Sequence, residues 1–215
     1  MSSELAGRTL GHYQIIELLS ESGMGVLYRA RDTALDRDVA VRVMHAQMAG
    51  QPGLCERFLQ EARTAATMDH PAIVKVYDSG QEGDLCYTVE ELVTGPTLRA
   101  RLDELQAAGA QLPPAEAAGL ARQVCLAVDH AHGRGVLQRE IKPESIVLQP
   151  VAGVDPPYRP VLTGLGPARL LEEGLVTLDG SATGTPAYMS PEQASGDPCD
   201  ARSDVYSLGV LLYEL

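Results

Sequence analysis

Positive charge is what this chain has least of. Lysine occurs only at Lys75 and Lys142, and the 17 Lys and Arg residues face 29 Asp and Glu, a net charge of -12 with a pI near 4.8. Polyanions are recognised through clustered cations, so this balance argues against nucleic acid or an anionic membrane as a partner. No apolar run approaches the ~20 residues that cross a bilayer, and no signal peptide opens the chain. Those two absences predict a cytoplasmic protein without a membrane span. No C-x-x-C pair occurs. Cys55, Cys86, Cys125 and Cys199 stand far apart. They read as reduced packing residues rather than a metal site. There is no internal repeat.

What is present divides in two. Residues 12–49 carry β-type patterns: Tyr13 to Leu19, Val26 to Ala30 and Val39 to Val43, punctuated by Gly and Asp. Residues 54–68 take a helical period through Leu54, Phe58, Leu59, Ala62, Ala65 and Ala66. Ile73 to Tyr77 and Leu85 to Val89 read as further strands. After Gly95-Pro96 the period turns helical over 97–107 and 114–132, and Pro113-Pro114 marks the start of the longer helix. The stretch Gln149 to Pro160, rich in Pro and Gly, reads as a surface loop that lengthens a hairpin.

Seven short segments then fall in a fixed order: Leu19-Ser20-Glu21-Ser22-Gly23-Met24-Gly25-Val26, Val39-Ala40-Val41-Arg42, Glu61 within a helix, Gln138-Arg139-Glu140-Ile141-Lys142-Pro143-Glu144-Ser145, Gly164-Leu165-Gly166, Gly184 to Glu192, and Asp204 in Ser203-Asp204-Val205. Together they resemble the Gly-rich loop, V-A-I-K, the C-helix Glu, H-R-D-x-K-x-x-N, D-F-G, the end of the activation segment and the start of the F helix of protein kinases. The wording is most similar to bacterial eukaryotic-like Ser/Thr kinases.

The resemblance implies an α+β, two-lobed fold. After a tail at 1–11, the N-lobe would be an antiparallel sheet with one helix over 12–93, and the C-lobe a mostly helical part over 94–215. The chain stops at Leu215 inside the F-helix pattern Val205, Leu208, Leu211 and Leu212. That implies an incomplete C-lobe, a fragment or truncated gene, with an apolar face left to self-associate or meet a partner.

At the chemical positions the residues depart from the family. Glu140 stands for the catalytic Asp, Gln138 for the His, Ser145 for the metal-binding Asn and Gly164 for the D-F-G Asp. Phosphoryl transfer is positioning plus charge stabilisation. Mg²⁺ prefers oxygen ligands, carboxylates foremost, and Gly164 and Ser145 offer neither carboxylate nor amide. Glu140 is an acid one methylene too long, and a misplacement of ~1 Å costs about a hundredfold. Ser20 and Ser22 replace glycines that let backbone N–H groups approach phosphates. Arg42 keeps the charge of the V-A-I-K lysine but not its shape. It also fits a general replacement of Lys by Arg across the chain.

The nucleotide-site positions implied by the resemblance are Ser20, Ser22, Gly25, Val26, Ala40, Arg42, Glu61, Glu90, Glu91 and Val147. Glu90 falls at the gatekeeper place, where a carboxylate would need Arg42 as partner. Glu140 and Lys142 hold the catalytic positions. Arg139, Thr177, Ser181, Thr183 and Thr185 are the regulatory candidates, and Glu192 is expected to lack its usual Arg partner. The expectation is a catalytically inactive kinase-like domain without a cofactor or metal. It would act through a protein partner, such as an active Ser/Thr kinase or that kinase's substrate. The alternatives are an active or weakly active Ser/Thr kinase using ATP and Mg²⁺, and a fragment without a role.

Overall fold

Alternating β-branched residues along the first ninety positions give a six-stranded antiparallel sheet. The computed structural model describes residues 5–23, 25–164 and 186–215. Its strands and helices in this region are β1 (Thr9–Leu10), β2 (Tyr13–Ser22), β3 (Gly25–Asp32), β4 (Arg37–Met44), α1 (Ala46–Ala49), α2 (Leu54–Ala65), β5 (Val76–Glu82) and β6 (Leu85–Glu91). The strand order is β1-β2-β3-β4-β6-β5. Successive residues of a strand point to opposite faces. Val39, Val41 and Val43 therefore share one face, packed with Ile15, Tyr28, Ala30, Tyr87 and Val89. Ala40 pairs with Glu90 and Arg42 with Thr88 across β4 and β6, so these four share the other face.

Helix α2 packs on β5 and β6 and buries Leu54, Phe58, Ala62 and Ala65. It is also covalently joined to the sheet. Cys55, its second residue, forms a disulfide with Cys86 of β6, with Cα atoms 5.9 Å apart. Cys86 keeps step with Thr88 and Glu90, so the helix covers the Arg42 face. The expectation of four reduced cysteines is thus corrected for this pair. Thirty-one residues separate the two, and no local pattern could announce their meeting. Cys125 and Cys199 are free thiols.

Two further expectations change here. The segment assigned to an N-terminal tail supplies β1, and its Leu10 is wholly buried in the sheet's core. The strand expected at 73–77 begins only at Val76. Ile73 and Val74 are buried elsewhere, because the Val74 amide donates to the Leu162 carbonyl at 3.0 Å and the Leu162 amide to that of Ala72 at 2.8 Å.

The chain forms two compact units, Met1–Thr67 with Lys75–Leu92, and Met68–Val74 with Val93–Leu215. The second carries α3 (Leu98–Ala107), α4 (Pro114–His132), the hairpin β7 (Ile146–Pro150) and β8 (Tyr158–Leu162), α5 (Pro191–Ser195) and α6 (Ala201–Glu214). Caps set these limits. Thr97 Oγ1 accepts from the Ala100 amide at 3.1 Å to start α3, and Pro114 opens α4, where a missing N–H costs nothing. Ser190 and Gln193 form a reciprocal cap on α5, and Gly196 closes it at φ 73°. The loop expected over 149–160 is shorter than read. Gln149 pairs with Arg159 and Pro150 with Tyr158, which leaves 151–157 as the connection.

Candidate active site

The catalytic-loop segment is held from its backbone. Asp204, fully buried on α6, accepts from the Gln138 amide at 2.9 Å and the Arg139 amide at 2.6 Å. His132 Nε2 lies 2.6 Å from the same carboxylate. Arg139 sits at φ 62°, a conformation that side chains with a Cβ avoid, and the paired bonds to Asp204 help hold it there. Gln193 of α5 donates to the Arg139 carbonyl at 2.7 Å. Gln138 is 1% exposed and donates through Nε2 to the Thr163 carbonyl at 3.0 Å, next to Gly164. Gln138 thus makes this link from the place where the family has its His.

The chemical side chains turn inward on one another. Lys142 Nζ is hydrogen-bonded to Glu140 Oε1, so the acid and the cation of the loop form their own ion pair. Ser145 Oγ accepts from the Lys142 amide at 3.2 Å and lies 3.0 and 2.8 Å from the Glu140 and Lys142 carbonyls. The hydroxyl closes the 142–145 turn. Gly164 lies at φ 77° with no side chain to offer. Glu144 is exposed and pairs with Arg99 at 3.3 Å, and Asp155 is exposed in the 151–157 connection. Among the described residues no three His, Cys, Asp or Glu side chains converge to hold a metal ion. The carboxylates of this segment, Glu140 and Glu144, are each paired with a cation, Lys142 and Arg99.

In the first unit Arg42 has a partner. Its Nε donates to Glu90 Oε1 at 3.1 Å, and Thr88 Oγ1 donates to the same oxygen at 3.2 Å. Glu90 is 6% exposed, so the carboxylate expected to need Arg42 is buried against it. Glu61 is half-buried on α2, which covers this face, and Arg42 is matched to Glu90. Ala40 is buried beside the pair, and Glu91 donates its amide to the Lys75 carbonyl at 2.8 Å.

The segment read as a Gly-rich loop is carried by β2 and β3, where Ser22 pairs with Gly25. Ser20 and Ser22 are exposed, and Ser22 Oγ donates to the Gly25 carbonyl at 3.1 Å. A Cβ at Gly25 would sit 2.2 Å from the Val43 carbonyl oxygen, so the sheet itself requires glycine there. Val26 is part of the core. Arg42, the cation among these positions, is hydrogen-bonded through Nε to Glu90.

The remaining positions are scattered. Val147 lies half-buried on β7, opposite Thr97. Thr177, Ser181, Thr183 and Thr185 lie outside the described residues. Glu192 is not unpaired: it accepts from Ser203 Oγ at 2.5 Å, and that bond holds its carboxyl below the usual range. Sequence reasoning missed a second cluster. Arg99 of α3 donates to Tyr188 Oη at 2.9 Å and pairs with Glu214 of α6, while Tyr188 donates to Glu214 as well. Burial and that bond to Glu214 push the Tyr188 hydroxyl well above its ordinary pKa. No spacing links residues 99, 188 and 214.

Comparison with known proteins agrees with this frame. The family model described as protein kinase domain matches residues 13–215. The chain is 36% identical over 208 residues to the Ser/Thr-protein kinase PrkC of Bacillus subtilis, which covers 97% of this chain and 31% of that protein. It is 40% identical over 209 residues to PknB of Mycobacterium tuberculosis, covering 94% and 32%. The chain thus spans about a third of the length of these relatives. Among solved structures the PknI kinase domain of M. tuberculosis matches with a TM-score of 0.75 at 27% identity, over 96% of this chain and 74% of that one. With the antiparallel sheet unit, the helical unit and the Asp204-anchored loop, these matches establish that the chain belongs to the protein kinase family, among bacterial Ser/Thr kinases of the PrkC and PknB type.

Proposed function

We propose that this chain is a Ser/Thr-kinase-type domain that is catalytically inactive and acts by contact with other proteins, without a bound cofactor or metal. The observation that carries the proposal is the fate of the chemical residues. Lys142 neutralises Glu140, Ser145 closes a turn, Gly164 has no side chain, and Glu90 holds Arg42. Each change weakens a different part of phosphoryl transfer, and parts that act as a unit fail together. An active Ser/Thr kinase or its substrate is the partner class the family suggests.

A second reading has its own support. PrkC and PknB are both named as Ser/Thr kinases. At the level of the family, those names back ATP-dependent phosphorylation of protein Ser and Thr better than they back a silent domain. Lys142 and Glu140 would then be the working pair.

The test is transfer of radiolabelled phosphate from ATP to a generic basic protein, with Mg²⁺ or Mn²⁺, beside a Lys142→Ala control. The first reading expects no difference between the two proteins. Transfer that Lys142→Ala abolishes would establish the second.

A further inference from the structure

The ladder between β4 and β6 puts a carboxylate on Arg42 by design of the register. Ala40 faces Glu90 and Arg42 faces Thr88, so Glu90 lies diagonally across from Arg42, within reach of a long side chain. Both ends of the ion pair are withdrawn from water, with side-chain exposures of 13% for Arg42 and 7% for Glu90. Thr88 adds a hydrogen bond to the oxygen that Arg42 already holds. An ion withdrawn that far needs its counter-ion, and breaking such a pair leaves an uncompensated charge. Glu90 takes the Nε edge of the guanidinium, so an anionic ligand of Arg42 must displace Glu90 or share the guanidinium beside a desolvated carboxylate, and either cost comes out of the ligand's affinity.

We propose that Glu90 is an internal competitor for Arg42, holding the guanidinium away from the polyphosphate of a nucleoside di- or triphosphate. The chain has the cation; Glu90 has claimed it. This rests on the kinase-class reading of Arg42, which stands in the Val39-Ala40-Val41-Arg42 run where the family places its phosphate-binding lysine. Weak nucleotide binding then has a reversible local cause, separate from Gly164 and Ser145.

The probe is ADP, titrated by calorimetry at fixed ionic strength in EDTA, so that no metal enters. Glu90→Gln keeps the size and the acceptor for Thr88 but removes the charge. Glu90→Thr removes both, and serves if Glu90→Gln does not fold. Each single variant should bind ADP about tenfold tighter than the parent, or more, which corresponds to ~1.4 kcal/mol. The gain should vanish in Glu90→Gln/Arg42→Met. Unchanged ADP affinity in a folded single variant overturns the inference, and so does a gain that survives loss of Arg42. In the parent chain the Arg42 Nε resonance should not move with millimolar ADP. A shift there would show Arg42 meeting the nucleotide with Glu90 in place, and would overturn it too. These readouts are binding alone. Phosphate transfer by the parent chain would sink the non-catalytic reading and leave the Glu90 inference standing.

Discussion

Arg42 and Glu90 show how much one buried side chain depends on another. Arg42→Met removes the cation and leaves a 6% exposed carboxylate without its charge partner. Loss of one member of a buried pair costs about 3–5 kcal/mol. Urea unfolding should show a loss of that size for Arg42→Met and a smaller one for Glu90→Gln, which keeps a hydrogen-bonding amide. Equal, negligible losses would mean that water reaches the pair. Gly164 sets a different limit. Its φ of 77° is left-handed, and a side chain there costs roughly 1–2 kcal/mol, somewhat less for Asp. Gly164→Asp alone should therefore destabilise the chain and restore no transfer. Any recovery needs Ser145→Asn, Glu140→Asp and Arg42→Lys with it, as phosphate-transfer assays of the single and combined variants would show. The residue identities at these places were legible in the sequence. The partner each side chain chose was not, except for Arg42, where strand register put Glu90 within reach.

At the scale of elements, α2 is the helix the period of Leu54, Phe58 and Ala62 predicts, and its attachment is what the sequence hid. In the chain-entropy model, closing a 31-residue loop with the Cys55–Cys86 bridge stabilises the fold by about 3–4 kcal/mol. Reduction with dithiothreitol, or Cys55→Ser with Cys86→Ser, should lower Tm by several degrees. Thiol titration should rise from two groups to four on reduction, matching the two free cysteines of the oxidised chain. Four reactive thiols in the unreduced, unfolded protein would refute the bridge. A second element-level dependence joins α4 to the segment before β5. The rings of His70 and His130 lie with centroids 5.1 Å apart, and His70 Nδ1 accepts from the Ala72 amide at 3.2 Å. Burial, then the neighbouring His130, lowers the His70 pKa from its ordinary 6.5. The unfolded chain then takes up a proton more readily than the folded one. Stability is present above about pH 6.5 and is lost as pH falls from there towards the folded pKa. Tm measured from pH 7.5 to 5.5 should fall, and the fall should flatten in His70→Asn, which can still accept from the Ala72 amide.

For the whole molecule, the surface of α6 is the open question that measurement can close. Val205 and Leu212 are 61% and 55% exposed and Tyr213 is 94% exposed, while Ser203, Asp204, Ser207 and Leu211 of the same helix are buried. Clustered exposed apolar residues favour association. The 215-residue chain should show concentration-dependent mass in size exclusion with light scattering, and Leu212→Glu with Tyr213→Glu should shift it towards monomer. A monodisperse parent at all concentrations would show that this face does not drive association.

The sequence by itself determined the family, the order of the main elements after the first eleven residues and the identity of every residue at a chemical position. Those are local facts: a period, a cap, a short motif at a fixed place. Pro114 and Thr97 set helix limits by chemistry within one turn, and the alternation of Val39, Val41 and Val43 fixed which face meets the core. Only the tertiary structure decided which side chains meet. Cys55 found Cys86, Arg99 found Tyr188 and Glu214, and Leu10 joined a core that its place in the chain did not suggest. Each of the first two contacts joins residues at least 31 positions apart. Their energies depend on burial and on the angle between packed elements. Neither quantity is written in the neighbours along the chain.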